Sequence, residues 1–202
     1  MNTGTTTHDH QTPKRVRIVD RFWLLTWTTY GTWLPGDRRG SVANVPDKDG
    51  NRHRHNRVGT PYAQSQPRLI KHVEQTLTQE AVWLTVVHAQ AVVDQVQETS
   101  RIRQWKLCAA AVMSNHVHVV LGVPGDPDPE KLLGDLKAYA TRRLNQFRRR
   151  RWWTDSGSRR KLPNRSAVNA AVRYVASQRG CLALYVDEAF ARDAGIESGL
   201  NE

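Results

Sequence analysis

Residues 105–123 read WKLCAAAVMSNHVHVVLGV, and this stretch is the strongest indication of the fold in the sequence. Two apolar runs flank Ser114 and Asn115, and small polar residues between such runs favour a turn, so the stretch predicts a β-hairpin. Because side chains alternate between the two faces of a strand, His116 and His118 share one face. The opposite face carries Val117, Val119 and Leu121. The apolar face can therefore cover a core while two imidazoles lie side by side on the other face.

The segments around this hairpin predict further strands and helices. Aromatic and β-branched residues over 18–30 predict a first strand. Apolar residues at helical spacing predict helices over 69–84, 91–103, 129–147 and 166–180. A loop over 155–164 surrounds a short strand, and residues from 181 onward add a short strand or helix. This order predicts an α+β fold: a ferredoxin-like antiparallel sheet with helices packed on one face.

Polar stretches of the chain suggest where the domain begins and ends and where it has a long loop. Residues 1–17 are polar and basic and are predicted to be disordered, and residues 18–182 form a single domain. A mobile polar loop is expected around 41–66, where the tract NRHRHNR is interpreted as basic loop rather than as a metal site. Residues 183–202 are interpreted as a C-terminal tail.

The charge of the chain indicates a polyanionic partner. Its 202 residues carry a formal net charge of +11, and Lys or Arg side chains that neutralise phosphates release bound counterions. Its two cysteines form no CxxC pattern, which disfavours a disulfide scaffold or a cysteine-rich zinc site. No apolar run approaches the length of a membrane span, so we expect an intracellular protein.

The basic residues cluster in and after the helix over 129–147. Arginines beside aromatic residues suit nucleic-acid binding, although a solvated helix face is the simpler explanation for part of the cluster. Predicted contacts to a nucleic-acid backbone are Lys137, Arg142, Arg143, Arg148, Arg149, Arg150, Arg151, Arg159 and Arg160. Predicted base-stacking residues are Trp152 and Trp153.

The histidine pair by itself has two interpretations. Two imidazoles on one strand face can hold a divalent ion, and oxygen ligands from another element would then be needed for Mg²⁺ or Mn²⁺. The same spacing is equally compatible with two histidines that form hydrogen bonds with neighbouring residues or face solvent, without a metal ion.

A family resemblance favours the metal site. The motif NHVHVV at 115–120, followed by RYVASQ at 173–178, resembles the single-tyrosine HUH transposases, named for their His-hydrophobe-His motif. These include small insertion-sequence transposases and REP-associated tyrosine transposases. Further similar segments are WTTYGTWLPGD at 27–37, LKAYATRRLN at 136–145 and GSRRKL at 157–162. The resemblance covers roughly residues 20–182.

The resemblance implies a role for each residue of the two motifs. His116 and His118 would bind a catalytic Mg²⁺ or Mn²⁺, Gln178 would complete the metal site from one turn beyond the tyrosine, and Tyr174 would be the nucleophile. The implied fold is ferredoxin- or RRM-like, with the histidines on a central strand and the tyrosine on a helix over it. Tyr139 and Tyr30 are rival nucleophiles that do not match the family register.

The implied activity is metal-dependent nicking and joining of single-stranded DNA through a 5′-phosphotyrosine, with recognition of a DNA hairpin. Such a transposase would act in the bacterial cytoplasm, associated with the nucleoid, as a monomer or a homodimer. Two alternatives stay open. One is a domesticated hairpin-binding protein without transposition activity, and the other is a hydrolytic metal-dependent nuclease that uses the histidines without the tyrosine.

Overall fold

The structure is a computed structural model that describes residues 19–34 and 67–196. The predictions of a disordered segment over 1–17 and a mobile loop with a His/Arg tract over 41–66 lie outside the described residues.

The described residues form one antiparallel sheet. Its five strands are β1 (Arg21–Thr28), β2 (Lys106–Val112), β3 (His116–Val123), β4 (Ser158–Leu162) and β5 (Ala183–Val186). Their order across the sheet is β4-β1-β3-β2-β5, and every neighbouring pair is antiparallel. The first four strands in this order give the ferredoxin-like arrangement that the sequence predicts. Strand β3 is the central strand, and its first and third residues are His116 and His118.

Helices cover both faces of the sheet in the described residues. They are α1 (Pro67–Gln75), α2 (Val86–Arg103), α3 (Pro129–Leu144), α4 (Arg165–Ala176) and α5 (Glu188–Asp193). Helices α2 and α3 pack on the face that carries Val117, Val119 and Leu121. Helices α4 and α5 pack on the opposite face, around Val120. The layer of α2 and α3 confirms the predicted α+β architecture, and α4 covers part of the histidine-bearing face. No described helix is both long enough and apolar enough to cross a lipid bilayer.

The hairpin of β2 and β3 forms where the sequence predicts it. The backbone N–H of Met113 donates to the carbonyl of His116 at 2.9 Å, and Val112 lies opposite Val117. Both strands are buried along almost their whole length because helices cover both faces. This burial explains why β2 reads as a continuous apolar run rather than as an alternating one.

The helix predicted over 69–84 is wrong in its second half. Helix α1 ends at Gln75, and the chain then continues through a turn and a bend, without helix, to the start of α2. The N–H of Val82 donates to the carbonyl of Tyr30 at 2.8 Å, and the N–H of Leu84 donates to the carbonyl of Ser114 at 2.7 Å. These long-range hydrogen bonds take the place of helical ones. The apolar residues of this segment are therefore buried in the core although they do not form a helix.

The segment interpreted as a tail joins the fold over 183–196. Strand β5 pairs with β2, and Phe190 of α5 is buried against the α4 layer. The sequence predicts a short strand or a helix after residue 181, and the structure has one of each. The boundary that the sequence suggested after residue 182 falls immediately before a strand of the sheet.

Candidate active site

Two histidines lie side by side at the start of the central strand. The ring centroids of His116 and His118 are 4.9 Å apart, with the planes nearly perpendicular. His118 is only 5% exposed, whereas His116 is partly exposed. Solvent therefore reaches this pair of rings from the His116 side, while His118 lies behind it.

A threonine of the neighbouring strand holds the buried imidazole. Thr26 lies opposite His118 in the β1–β3 pairing, and its hydroxyl is 2.7 Å from Nδ1 of His118. A neutral imidazole has one donor and one acceptor nitrogen. When Nδ1 donates to the Thr26 hydroxyl, Nε2 keeps its lone pair. Sequence reasoning missed Thr26, because its position beside the motif depends on the register between two strands distant in sequence.

The environment of His118 keeps the imidazole neutral. Burial, reinforced by the neighbouring His116, lowers the pKa of His118 from 6.5 to about 4. Burial disfavours the charged form, and a second imidazolium beside it adds repulsion. At neutral pH, His118 is therefore an imidazole with a lone pair rather than a cation.

His116 is oriented by the residue that precedes it. Its Nδ1 lies 2.6 Å from Oδ1 of Asn115. An amide oxygen accepts hydrogen bonds, so this contact places the proton on Nδ1 and the lone pair on Nε2. Both histidines of the pair thus have Nδ1 engaged by an oxygen, which is how metal-binding histidines are usually oriented.

Tyr174 of α4 brings its hydroxyl to this pair. The hydroxyl is 3.5 Å from Nε2 of His118, at the long end of a hydrogen bond, and the two ring centroids are 5.2 Å apart. Tyr174 is 48% exposed, while its helix neighbours Val172 and Val175 are buried against the sheet. The packing of α4 therefore fixes the backbone of Tyr174 and leaves its ring accessible to a ligand in solution.

Gln178, the predicted third metal ligand, lies just beyond the end of α4. Helix α4 ends at Ala176, so Gln178 follows the helix instead of lying one turn further along it. Its amide Nε2 donates to the carbonyl of Tyr174 at 3.0 Å. The side chain thus satisfies one of the exposed carbonyls of the helix end, a group that otherwise lacks a helical partner.

The donor set fits a divalent ion in part. Two neutral imidazoles, each with Nδ1 engaged by an oxygen, suit a first-row divalent metal. Within 19–34 and 67–196, no group of three His, Cys, Asp or Glu side chains is placed to hold an ion. Remaining ligands for Mg²⁺ or Mn²⁺ would be oxygens of other kinds, from an amide, water or a substrate phosphate.

The rival tyrosines lie away from the histidines. Tyr139 is on α3, across the sheet, with the guanidinium of Arg142 4.9 Å from its ring centroid. Tyr30 is buried, and its hydroxyl accepts a 2.9 Å hydrogen bond from the N–H of Thr78. Hydrogen bonds with Thr78 lower the pKa of Tyr30. Of the three tyrosines considered, Tyr174 is the one whose hydroxyl contacts a histidine of the motif.

The two tryptophans predicted to stack on bases are core residues. Trp152 and Trp153 are 2% and 5% exposed, and their indole N–H groups donate to Asn145 Oδ1 and to the carbonyl of Lys137. Neither ring offers a face to DNA, which corrects the predicted role. Their apolar rings complete the core between α3 and the sheet.

Two of the residues predicted to contact phosphate, Lys137 and Arg159, bind other groups of the protein instead. The ammonium of Lys137 donates to the carbonyls of Thr154, Asp155 and Ser156 at 2.5, 2.9 and 3.3 Å, and burial lowers the pKa of Lys137. Arg159 pairs with Glu130 on the α3 side of the sheet. A lysine has three N–H donors, so Lys137 holds a loop instead of offering a donor to phosphate.

The other predicted basic residues divide between two sides of the molecule. Arg142 and Arg143 are exposed on α3, on the side away from the histidines, and Arg148 and Arg149 are exposed in the segment that follows this helix. Arg150 and Arg151 lie where the chain returns to the end of β1, next to Tyr30. Arg160 is exposed on the histidine-bearing face, because it lies opposite Leu24, which lies opposite Val120.

Comparison of the sequence with family profiles identifies the family of this chain. A sequence profile of the transposase IS200-like family matches residues 66–178, more than half of the chain, and includes both histidines and Tyr174. The chain therefore belongs to the IS200-like transposase family, a class of DNA-processing proteins. No curated protein matches the chain. A solved structure that it resembles is a REP-associated tyrosine transposase bound to a REP hairpin. The TM-score is 0.43 at 15% identity, over 82% of this chain and 70% of the other.

Proposed function

We propose that this transposase nicks and rejoins single-stranded DNA through a covalent bond between Tyr174 and the 5′ phosphate of the cut strand. The observation that carries the proposal is the position of the Tyr174 hydroxyl, 3.5 Å from Nε2 of the buried, neutral His118. Membership of the IS200-like transposase family supports a reaction on DNA at this site. The hairpin form of the substrate is an expectation from the motif resemblance.

The proposed reaction conserves the number of phosphodiester bonds. The Tyr174 oxygen forms a bond to phosphorus while the bond from phosphorus to the 3′ oxygen breaks. The tyrosine loses its hydroxyl proton, and the departing 3′ oxygen gains one to become a 3′-OH. Attack by that 3′-OH, or by another one, reverses the step and requires no ATP. A tyrosine hydroxyl with a pKa near 10 is a weak nucleophile and needs activation at neutral pH.

The residues that would hold a divalent ion are His116 and His118, with Gln178 as a further oxygen donor. A bound Mg²⁺ or Mn²⁺ would polarise the scissile phosphate and stabilise charge on the leaving oxygen. The amide nitrogen of Gln178 donates to the carbonyl of Tyr174, so this side chain lies beside the proposed nucleophile. Thr26 and Asn115 would keep both imidazoles oriented, and the packing of Val172 and Val175 would hold α4 over the sheet.

A covalent-adduct assay tests this assignment. The full chain is incubated with a single-stranded hairpin oligonucleotide and Mn²⁺, and the products are separated on a denaturing gel. We expect a protein–DNA adduct from the wild type and none from Tyr174→Phe, while Tyr139→Phe, across the sheet, serves as the matched control. Peptide mass spectrometry should place the phosphate on Tyr174.

The same gel separates the alternative functions. Cleavage without an adduct that persists in Tyr174→Phe would identify a hydrolytic nuclease and contradict a tyrosine nucleophile. Hairpin binding with neither cleavage nor adduct, and with no response to metal, would identify a domesticated binding protein.

A further inference from the structure

An exposed tryptophan lies at the end of the sheet where the histidine strand begins. Trp83 is 58% exposed, although the residues on either side, Val82 and Leu84, are buried in the core. Large aromatic rings are seldom this exposed without a partner, and exposed apolar patches mark interaction sites. Val86 and Val87, in the first turn of α2, are also exposed and extend the patch.

The backbone around Trp83 is held rigidly beside the candidate active site. Val82 donates to the carbonyl of Tyr30, which follows β1, and Leu84 donates to the carbonyl of Ser114, two residues before His116. Val82 and Leu84 point into the core shared with α2 and α3. Because side chains alternate along an extended segment, the indole of Trp83 points away from that core.

Cationic groups border the same segment. A guanidinium nitrogen of Arg150 donates to the carbonyl of Glu80 at 2.9 Å. The backbone of Arg151 pairs with the side chain of Gln79, and its guanidinium lies over the ring of Tyr30 and pairs with Asp155 at 2.6 Å, so Arg150 is the cation here that forms no ion pair in the described residues. An aromatic platform beside positive charge is the combination that binds single strands, with the ring stacking on a base and the charges following the backbone.

We propose that Trp83 is a stacking platform for an unpaired nucleobase of the DNA strand that enters the active site. This inference rests on the proposed function, since it takes single-stranded DNA as the ligand. It assigns to Trp83 the role that the buried Trp152 and Trp153 cannot fill. The net charge of +11 favours this polyanionic occupant over a second copy of the same basic chain.

Binding to defined oligonucleotides tests the inference. Affinities for labelled oligodeoxythymidylate are measured by fluorescence anisotropy in EDTA, so that cleavage does not interfere. We expect Trp83→Ala to weaken binding about 5- to 100-fold, as is typical for loss of one stacked base, and Trp83→Phe to weaken it less. Ile102→Ala, an equally exposed apolar residue at the other end of α2, is the matched control and should bind like the wild type.

An abasic strand of the same length shows whether the contact is stacking. Without bases, wild type and Trp83→Ala should bind with equal affinity. Equal binding of both proteins to oligodeoxythymidylate, or an equal loss on the abasic strand, would overturn the inference. So would sedimentation velocity showing that Trp83→Ala dissociates a dimer, because the patch would then be a contact between copies.

These outcomes are independent of the nucleophile. If the wild type forms no covalent adduct, the proposed function fails, while the affinity of Trp83→Ala still decides the stacking role. If Tyr174 forms the adduct and Trp83→Ala binds like the wild type, the stacking inference alone fails.

Discussion

The hydroxyl of Thr26 lies 2.7 Å from Nδ1 of His118 and orients the imidazole ring. This bond links the first strand to the central strand beneath Tyr174, and it engages Nδ1 so that Nε2 faces the tyrosine hydroxyl. A valine at position 26 would keep the shape of the side chain but lose the oxygen. The imidazole could then rotate or change tautomer, and a buried N–H would lose its partner.

We predict that Thr26→Val weakens Mn²⁺ binding about 10- to 100-fold, because partners of metal-binding histidines typically contribute that much. Isothermal titration calorimetry of the DNA-free protein measures this without relying on catalysis. Thr26→Ser keeps the hydroxyl and should restore the affinity. Equal Mn²⁺ affinity in Thr26→Val and the wild type would show that the hydroxyl does not orient a ligand.

At the scale of elements, the loop between α3 and β4 is held tightly against β1. Three of its carbonyls accept from Lys137, and the N–H of Thr154 donates to the carbonyl of Thr28 at 3.1 Å. A Cβ added at Gly157 would lie 2.6 Å from the carbonyl oxygen of Thr26, a backbone atom that cannot move independently of β1. The loop is therefore coupled to the strand that orients His118.

We predict that Gly157→Ala lowers the free energy of unfolding by about 1–3 kcal/mol, the usual cost of overpacking a tight site. Urea denaturation followed by circular dichroism measures the change.

The matched control for this variant is Gly134→Ala. A Cβ at Gly134 on α3 meets no atom within 4 Å, and alanine favours a helix over glycine by about 0.5–1 kcal/mol, so this variant should be stabilised. Destabilisation of equal size in both variants would contradict the close approach at Gly157.

At the scale of the whole molecule, the sheet separates two basic surfaces. Arg160 lies on the face that carries His116, His118 and Tyr174, whereas Arg142 is exposed on α3 behind the sheet. If DNA binds at Tyr174 as proposed, the strand would pass over the first surface. Contacts between arginine and phosphate are salt-dependent, so the dependence of affinity on salt can identify which surface binds.

We predict that Arg160→Ala weakens single-stranded DNA binding and reduces the slope of log affinity against log salt by about 0.7, the value for one phosphate contact on a single strand. Arg142→Ala is the matched control and should leave both quantities unchanged. A larger change from Arg142→Ala would place the DNA on the α3 side of the sheet.

Much of the architecture could be predicted because its signals are local. The alternation in NHVHVV, the turn at Ser114-Asn115 and the apolar stripe of α3 each depend on neighbours within a few residues. The helix predicted over 81–84 is absent. The backbone N–H groups of Val82 and Leu84 donate to the carbonyls of Tyr30 and Ser114, which are distant in sequence. The end of α4 at Ala176, earlier than the predicted helix over 166–180, was missed because capping contacts that spacing does not reveal set a helix end.

By itself, the sequence determined the histidine pair on one strand face, the tyrosine in a helical pattern, the excess of positive charge and the order of strands and helices. The tertiary structure decided which side chains share a site. Strand register placed Thr26 against His118, and the packing of α4 brought Tyr174 to the same ring. Burial removed Trp152 and Trp153 from the predicted DNA surface, three loop carbonyls engaged Lys137, and Trp83 was left exposed. The reason is physical: residue type and spacing set local conformation, whereas exposure and contact depend on elements that meet only when the chain folds.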